Sequence, residues 1–252
     1  QVFYNTRLAK VWDSAQEQTK ADVLRDRARL ENYGLGSMPD GVLMLTASVD
    51  TQANRLELMV MGWGAGMERW VVDFQVISGD PADERTWAAL DDLLKARYRH
   101  PCGAELMIMA TAVDSGGNHT DEVYQFCRMR RWRSVFAIKG ASKRGRPVIA
   151  QRPSMVDVTW KGLTERHGAE LWIVGTDTAK DWIYNRYVFD TGPGALHFAN
   201  DLPDDFFAQC VAERKVTRYV RGHKRIEWTK GKSERNEALD LLVYNLAMAH
   251  YL

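Results

Sequence analysis

The sequence predicts a mixed α/β domain: an antiparallel three-strand meander, then parallel strands, flanked by helices. Three observations predict it. Three strand-like runs, "VLMLTASVD", "RLELMVMGWG" and "RWVVDFQVI", follow one another with short turn signals between them. A fourth run, "ELMIMATAVD", is continuously apolar, as in a strand covered on both faces, and helical and strand patterns alternate after it. The chain ends in "EALDLLVYNLAMAHYL", an almost wholly apolar helical pattern.

The elements follow in order. Residues 1–40 are polar and helical in pattern ("DSAQEQTKADVLRDRARLENYG") and end in "GLGSMPDG", a turn cluster, so they are read as a linker or arm. Residues 41–252 form the domain. After the meander, "GDPADERTWAALDDLLKARY" reads as a helix with Asp80 and Pro81 at its start and Trp87, Leu90, Leu93 and Leu94 on one face. "SGGNHTDEVYQFCRMRR" supplies a turn and a helix, "SVFAIKG" a strand, and "ELWIVGTDTAKDWIYNRYV" a strand and a helix that Asp177 would cap. "RYVRGHKRIEW" reads as a basic hairpin about Gly222.

With 252 residues, 45% apolar and 27% charged, the chain has the composition of an ordinary globular protein with a sizeable core. No apolar run reaches the roughly 18 residues of a membrane helix, and no signal peptide is expected. Opening on Gln1, the sequence is expected to be a piece of something longer. Its three cysteines are too few and scattered for a disulfide framework or a zinc site. The net charge of +1 hides a segregation. Residues 128–152 hold nine Lys/Arg and no acid, and residues 214–232 hold eight with one acid, together half of the chain's 34 basic residues. Such stretches are either solvated faces or the footprint of a polyanion.

Asp50 and Asp114 each close an apolar strand, where either could simply form a turn or cap a helix. Asp240 is harder to dismiss, because Leu239, Leu241, Leu242 and Val243 surround it in the last helix. An ionised carboxylate buried there without a partner costs several kcal/mol or more. One arrangement accounts for all three: adjacent strands end with Asp50 and Asp114, and the last helix lays Asp240 across that edge. Three converging carboxylates repel unless a divalent cation lies among them, and hard oxygen donors suit Mg²⁺ or Mn²⁺. Two such ions roughly 3.5–4 Å apart serve in-line phosphodiester hydrolysis. Sheet order with an acid on a C-terminal helix is the RNase H-like arrangement. Glu237 shares a helix face with Asp240 and is a possible fourth ligand; Glu57 and Asp73, on strands with a polar outward face, are read as structural.

Several stretches together resemble the C-terminal part of the lambda GpA-type phage terminase large subunits: "DTQANRLELMVMGWG", "AVDSGGNHTDEVYQFC", "AIKGAS", "LWIVGTDTAKDWIYNR", "PGALHF" and "RNEALDLLVYNLA". "FYNTRLAKVW" is similar to the segment where that family's ATPase portion ends. The resemblance implies an RNase H-like nuclease domain that cuts concatemeric viral DNA in a metal-dependent way during packaging. It carries the family's acidic triad onto Asp50, Asp114 and Asp240. It also implies, as partners, double-stranded DNA, the ATPase domain of the same chain, the small terminase subunit and the portal. The setting implied is the host cytoplasm, with no membrane. Where family members commonly have glycine two residues before the first aspartate, this chain has Ser48. No GxxxxGK[ST] loop occurs, because Ile226 replaces the leading glycine of "GKS" at Gly231–Ser233, so the motor is expected upstream.

The candidate DNA contacts are Lys139, at the end of a strand beside Asp114, and Lys143, Arg144 and Arg146 in a glycine-containing loop. Arg218, Arg221, His223, Lys224, Arg225, Lys230 and Lys232 of the hairpin stretch complete the set. His119 has two readings, a surface or capping histidine and a group that orients water or phosphate. Competing functions are an RNase H-like resolvase or transposase and a non-catalytic DNA-binding or docking module.

Overall fold

The structure, a computed structural model, describes residues 19–252 except Arg221 and Gly222, and of Val220 and His223 the backbone only. The meander is present as β1 (Met44–Thr51), β2 (Arg55–Trp63) and β3 (Arg69–Ser78), each antiparallel to the next. Then come α2 (Glu84–Leu93), β4 (Arg97–Arg99), β5 (Glu105–Asp114), α3 (Thr120–Arg130) and β6 (Val135–Gly140). The chain continues with β7 (Ser154–Trp160), β8 (Leu163–Val174), α4 (Thr176–Tyr184), β9 (Leu196–Phe198) and α5 (Asp204–Cys210). It ends with β10 (Arg214–Val220), β11 (His223–Thr229) and α6 (Glu237–Tyr251); α1 (Ala21–Ala28) precedes β1.

Nine strands form one sheet in the order β7-β8-β6-β5-β1-β2-β3-β9, with β4 paired to β5. β5 runs parallel to β1 and β6, and β6 runs parallel to β8, as the mixed-sheet expectation required. This architecture is consistent with an RNase H-like nuclease fold. β10 and β11 form a separate two-stranded hairpin.

The last helix is the keystone. From Ala238 to Met248 every residue of α6 except Asp240 is buried, which is how a helix apolar all round must lie. It packs along β1, β2 and β5. A polar seam fixes its register: Asn245 Oδ1 accepts from Thr46 Oγ1 (2.7 Å), while Asn245 Nδ2 donates to Ser48 Oγ (2.6 Å) and Ser48 Oγ donates to the Leu241 carbonyl (2.8 Å). Asn245→Leu would take the acceptor from the buried Thr46 hydroxyl and a donor from Ser48, at about 1–3 kcal/mol. Ser48 keeps the Leu241 carbonyl and Thr46 keeps the Trp63 indole. We expect a lower urea midpoint with an unchanged m-value, measured by chemical denaturation.

Four local expectations are corrected. α2 begins at Glu84, capped by the Asp83 side chain accepting from the Arg85 amide, because Asp80 and Pro81 form a separate turn. β5 is buried only over Ala110–Val113; Met107 lies past the residues paired with β1 and pairs with β4, and Met109 falls where the β1 register shifts, so both are half exposed. Asp177 does not cap α4: its carboxylate accepts from the Gly145 amide (2.9 Å) and holds the neighbouring loop instead. Asp240, expected to be buried among its apolar neighbours, lies in the first turn of α6 and is half-buried. Residues 21–40 lie against the sheet, with Leu24, Ala28, Tyr33 and Met38 buried, and Arg27 bonds the Tyr187 and Leu196 carbonyls.

Candidate active site

β1 and β5 are parallel and in register at Val49 and Val113, so the next residues, Asp50 and Asp114, stand side by side at the same end of two neighbouring strands. On the other side of β1, Asp50 is paired with Glu57 of β2. Residues aligned across a sheet share a face, so a row of three acids crosses it: Glu57, Asp50, Asp114. Ser48 shares that face two residues earlier and bonds Leu241, which puts the start of α6, with Asp240, over the row.

The electrostatics record the crowding. Burial, then the nearby charges of Asp114, Asp240 and Glu57, push Asp50 up to about 7 against the pull of its hydrogen bond from Gln52. Burial and Asp240 push Asp114 up to about 6, although the Gly116 amide hydrogen-bonds it. Asp240 is raised chiefly by burial, with Glu213 adding to it and Lys180 opposing it. Tyr244, one helical turn beyond Asp240, is raised well above the usual phenol range by burial and by the charges of Asp114, Asp240 and Asp50 together. The three aspartates nominated by the sequence therefore share one neighbourhood.

Each of them is turned to a protein donor: Asp50 to Gln52, Asp114 to Gly116, and Asp240 to Lys180 (3.2 Å) and Asn236 (2.8 Å). Among the described residues no three His, Cys, Asp or Glu side chains stand in position to enclose a metal ion. The donor set nevertheless fits a hard divalent cation in its chemistry. It is all carboxylate oxygen, Asp50 is buried and Asp114 and Asp240 half-buried, and the raised pKa values of Asp50 and Asp114 record carboxylates withdrawn from water beside other acids.

Three participants escaped the sequence reading. Glu57, read as structural on a polar face, is fully buried; Arg55 and Arg235 each reach its Oε1 at 2.7 Å, while Oε2 has no partner among the described residues. Lys180 and Glu213 form a buried pair, 2.5 Å apart, beside Asp240. A lysine one residue from Ala179 and three from Ile183, both buried, was the available signal. Glu237, the candidate fourth ligand, is held by Arg55 (3.4 Å) and Arg235 (3.2 Å), which tie the head of α6 to β2.

The basic candidates divide. Arg128, Arg130, Arg131 and Arg133 of the first stretch are engaged by Glu165, Asp91, Glu170 and Asp91. Those arginines join α3 to its neighbours. Lys143, Arg144 and Arg146 are exposed in the loop before β7 and, among the described residues, have no acidic partner. That loop is seated on α4: Thr178 donates to the Arg146 carbonyl (2.7 Å), and a Cβ at Gly175 would lie 2.3 Å from the same oxygen. Only glycine admits this approach. Lys139 is exposed on β6 but follows Ile138, the residue aligned with Asp114, so it leaves the sheet on the opposite face.

The hairpin is rooted beside the acids. Trp228 packs on Tyr184 of α4 (4.5 Å between rings) and donates to Asp181 (2.9 Å), which also holds Lys215 (2.8 Å). Glu213 immediately precedes β10, and Lys230, just after β11, donates to Asn236, the residue that bonds Asp240. Arg218, Lys224, Arg225, Lys230 and Lys232 are exposed; Arg218 faces Arg225 across the hairpin, a like-charge pairing that Glu227, 3.9 Å from Arg218, answers in part. Arg221 lies outside the described residues, as does the side chain of His223. His119 immediately precedes α3, half-buried, and makes no capping bond.

Comparison with known proteins decides the family. Residues 1–252 match the terminase large subunit gpA endonuclease domain. The chain belongs to that family. It is 38% identical to "Terminase, large subunit" of Escherichia phage lambda over 255 residues, covering 97% of this chain and 38% of that protein. It is 37% identical to "Terminase, large subunit" of Enterobacteria phage P21, with the same coverage. The chain thus spans well under half the length of these curated relatives. No solved structure matches it significantly. Among the described residues no helix is long and apolar enough to cross a membrane.

Proposed function

We propose that the chain is the DNA-cutting domain of a phage terminase large subunit, a divalent-metal-dependent endonuclease that cuts concatemeric viral DNA during packaging. The observation that carries this is the shared neighbourhood of Asp50, Asp114 and Asp240, whose pKa values are raised first by burial and then, for Asp50 and Asp114, by the charge of neighbouring acids. Bound Mg²⁺ or Mn²⁺, most simply as a pair, would activate water and stabilise the leaving oxygen. The three aspartates would hold it, Asp50 and Asp114 from the sheet edge and Asp240 from the helix laid over it. Tyr244, buried against all three, keeps its phenol proton and walls the acids from the core.

The duplex is positioned by Lys143, Arg144 and Arg146 on one loop and by the hairpin bases Arg218, Lys224, Arg225, Lys230 and Lys232, with Arg221 and His223 of the same stretch. These are backbone contacts and carry little base preference. By family, the ATPase portion of the full-length protein, the small terminase subunit and the portal are its partners, and the infected cell's cytoplasm its setting.

The test is cleavage of supercoiled plasmid by the chain with Mn²⁺ or Mg²⁺, against EDTA. Nicking that needs the metal supports the reading; duplex binding without nicking under any divalent metal would leave a docking module. For the hairpin, Arg218→Ala with Arg225→Ala should weaken duplex binding on any sequence and lower the salt slope by about 1 per lost phosphate contact. Fluorescence anisotropy across a salt series measures it. An unchanged slope would take those arginines off the DNA.

A further inference from the structure

Asp240 approaches the sheet acids from a helix, so its aim depends on what grips it from the side. Both oxygens are gripped: Lys180 Nζ lies 3.2 Å from Oδ1 and Asn236 Nδ2 lies 2.8 Å from Oδ2. The grip has its own anchor, since Glu213 Oε1 accepts from Lys180 (2.5 Å) and from Asn236 (2.7 Å). Lys180 and Glu213 are both buried, 8% and 6% exposed. An ammonium withdrawn from water this far is tolerable only between acids that need it. With one hydrogen bond on each oxygen, Asp240 keeps a lone pair on each for a cation.

We propose that Lys180, anchored by Glu213, is a positioning residue that fixes the Asp240 carboxylate for divalent-metal binding. The inference rests on the nuclease reading above. Partners of this kind, touching a ligand rather than the ion, typically change metal affinity by about 10–100-fold when removed. Lys180 acts through Asp240 and is too buried to meet the duplex.

The experiment is Mn²⁺ titration of the chain followed by electron paramagnetic resonance, with a thermal melt of each variant and duplex binding in EDTA. Lys180→Met should weaken Mn²⁺ binding by about 10–100-fold and leave duplex binding in EDTA unchanged. Glu213→Gln should weaken Mn²⁺ binding less, and Lys180→Arg, which restores a donor, should recover part of the loss. Unchanged Mn²⁺ affinity in Lys180→Met overturns the positioning role, whatever happens to its melting temperature. Should Lys180→Met fail to fold, unchanged affinity in Glu213→Gln and Lys180→Arg overturns it equally. Weaker duplex binding in EDTA would also overturn it, by placing Lys180 on DNA. No Mn²⁺ binding by the wild-type chain would remove the nuclease reading itself and the positioning role with it.

Discussion

Asp240→Asn is expected to lower metal-dependent plasmid cleavage at least about a thousandfold, because a metal clamp supplies several kcal/mol of transition-state stabilisation and each 1.4 kcal/mol is tenfold. The substitution keeps the shape of the side chain but removes the charge and one of the two acceptor oxygens, so only one of the bonds from Lys180 and Asn236 survives. Asp50→Asn and Asp114→Asn should each do the same. Because the three would act as one unit, a double variant should be no worse than a single one. Duplex binding should survive in all of them, since the proposed contacts lie on the loop before β7 and on the hairpin. Initial nicking rates at saturating Mn²⁺ measure the first claim and anisotropy the second. Cleavage by Asp240→Asn at the wild-type rate would remove that residue from the site.

Stability without divalent metal should fall as pH rises, and Asp50→Asn should cancel much of the fall. Asp50 is pushed up to about 7 and Asp114 to about 6, chiefly by burial and then by neighbouring acids (Asp114 and Asp240 for the first, Asp240 for the second), whereas an ordinary aspartate titrates near 4. The folded chain therefore holds protons that the unfolded chain has released. Their contribution is fully present below about pH 4 and is lost as pH rises through about 6–7. The melting temperature of the wild type should drop between pH 5 and pH 8 in EDTA, and Asp50→Asn should be the more stable chain at pH 8. Mn²⁺ at pH 8 should raise the wild type and leave Asp50→Asn little changed, since a ligand stabilises only the fold that binds it. Parallel melting profiles for the two chains would show that Asp50 ionises as freely folded as unfolded.

What could be read locally was read well. The meander showed in three runs with turn residues between them, and α6 in a helical run with almost no polar face, because a strand or helix advertises its burial in its own period. The three aspartates stood out for the same reason: a charge inside an apolar run contradicts its surroundings. Errors arose where a neighbour distant in sequence decides. Met107 and Met109 read as core and lie half exposed, since nothing in β5 says that β1 stops short of Met107 or that the register shifts at Met109. Arg130 and Arg133 read as part of a polyanion footprint, yet Asp91 on α2 takes both.

By itself the sequence determined the meander, the parallel strands around β5, the last helix and the three carboxylates that need company, because period and local composition suffice for these. It ran the helix after the meander on through residues 97–98, which belong to β4. The tertiary structure alone decided what surrounds the carboxylates. It brought Glu57 into their row, Lys180 and Glu213 behind Asp240, and the hairpin's two ends against Asn236. Charges act through space over several ångströms whatever their separation along the chain. No local pattern can therefore announce which lysine will answer which aspartate.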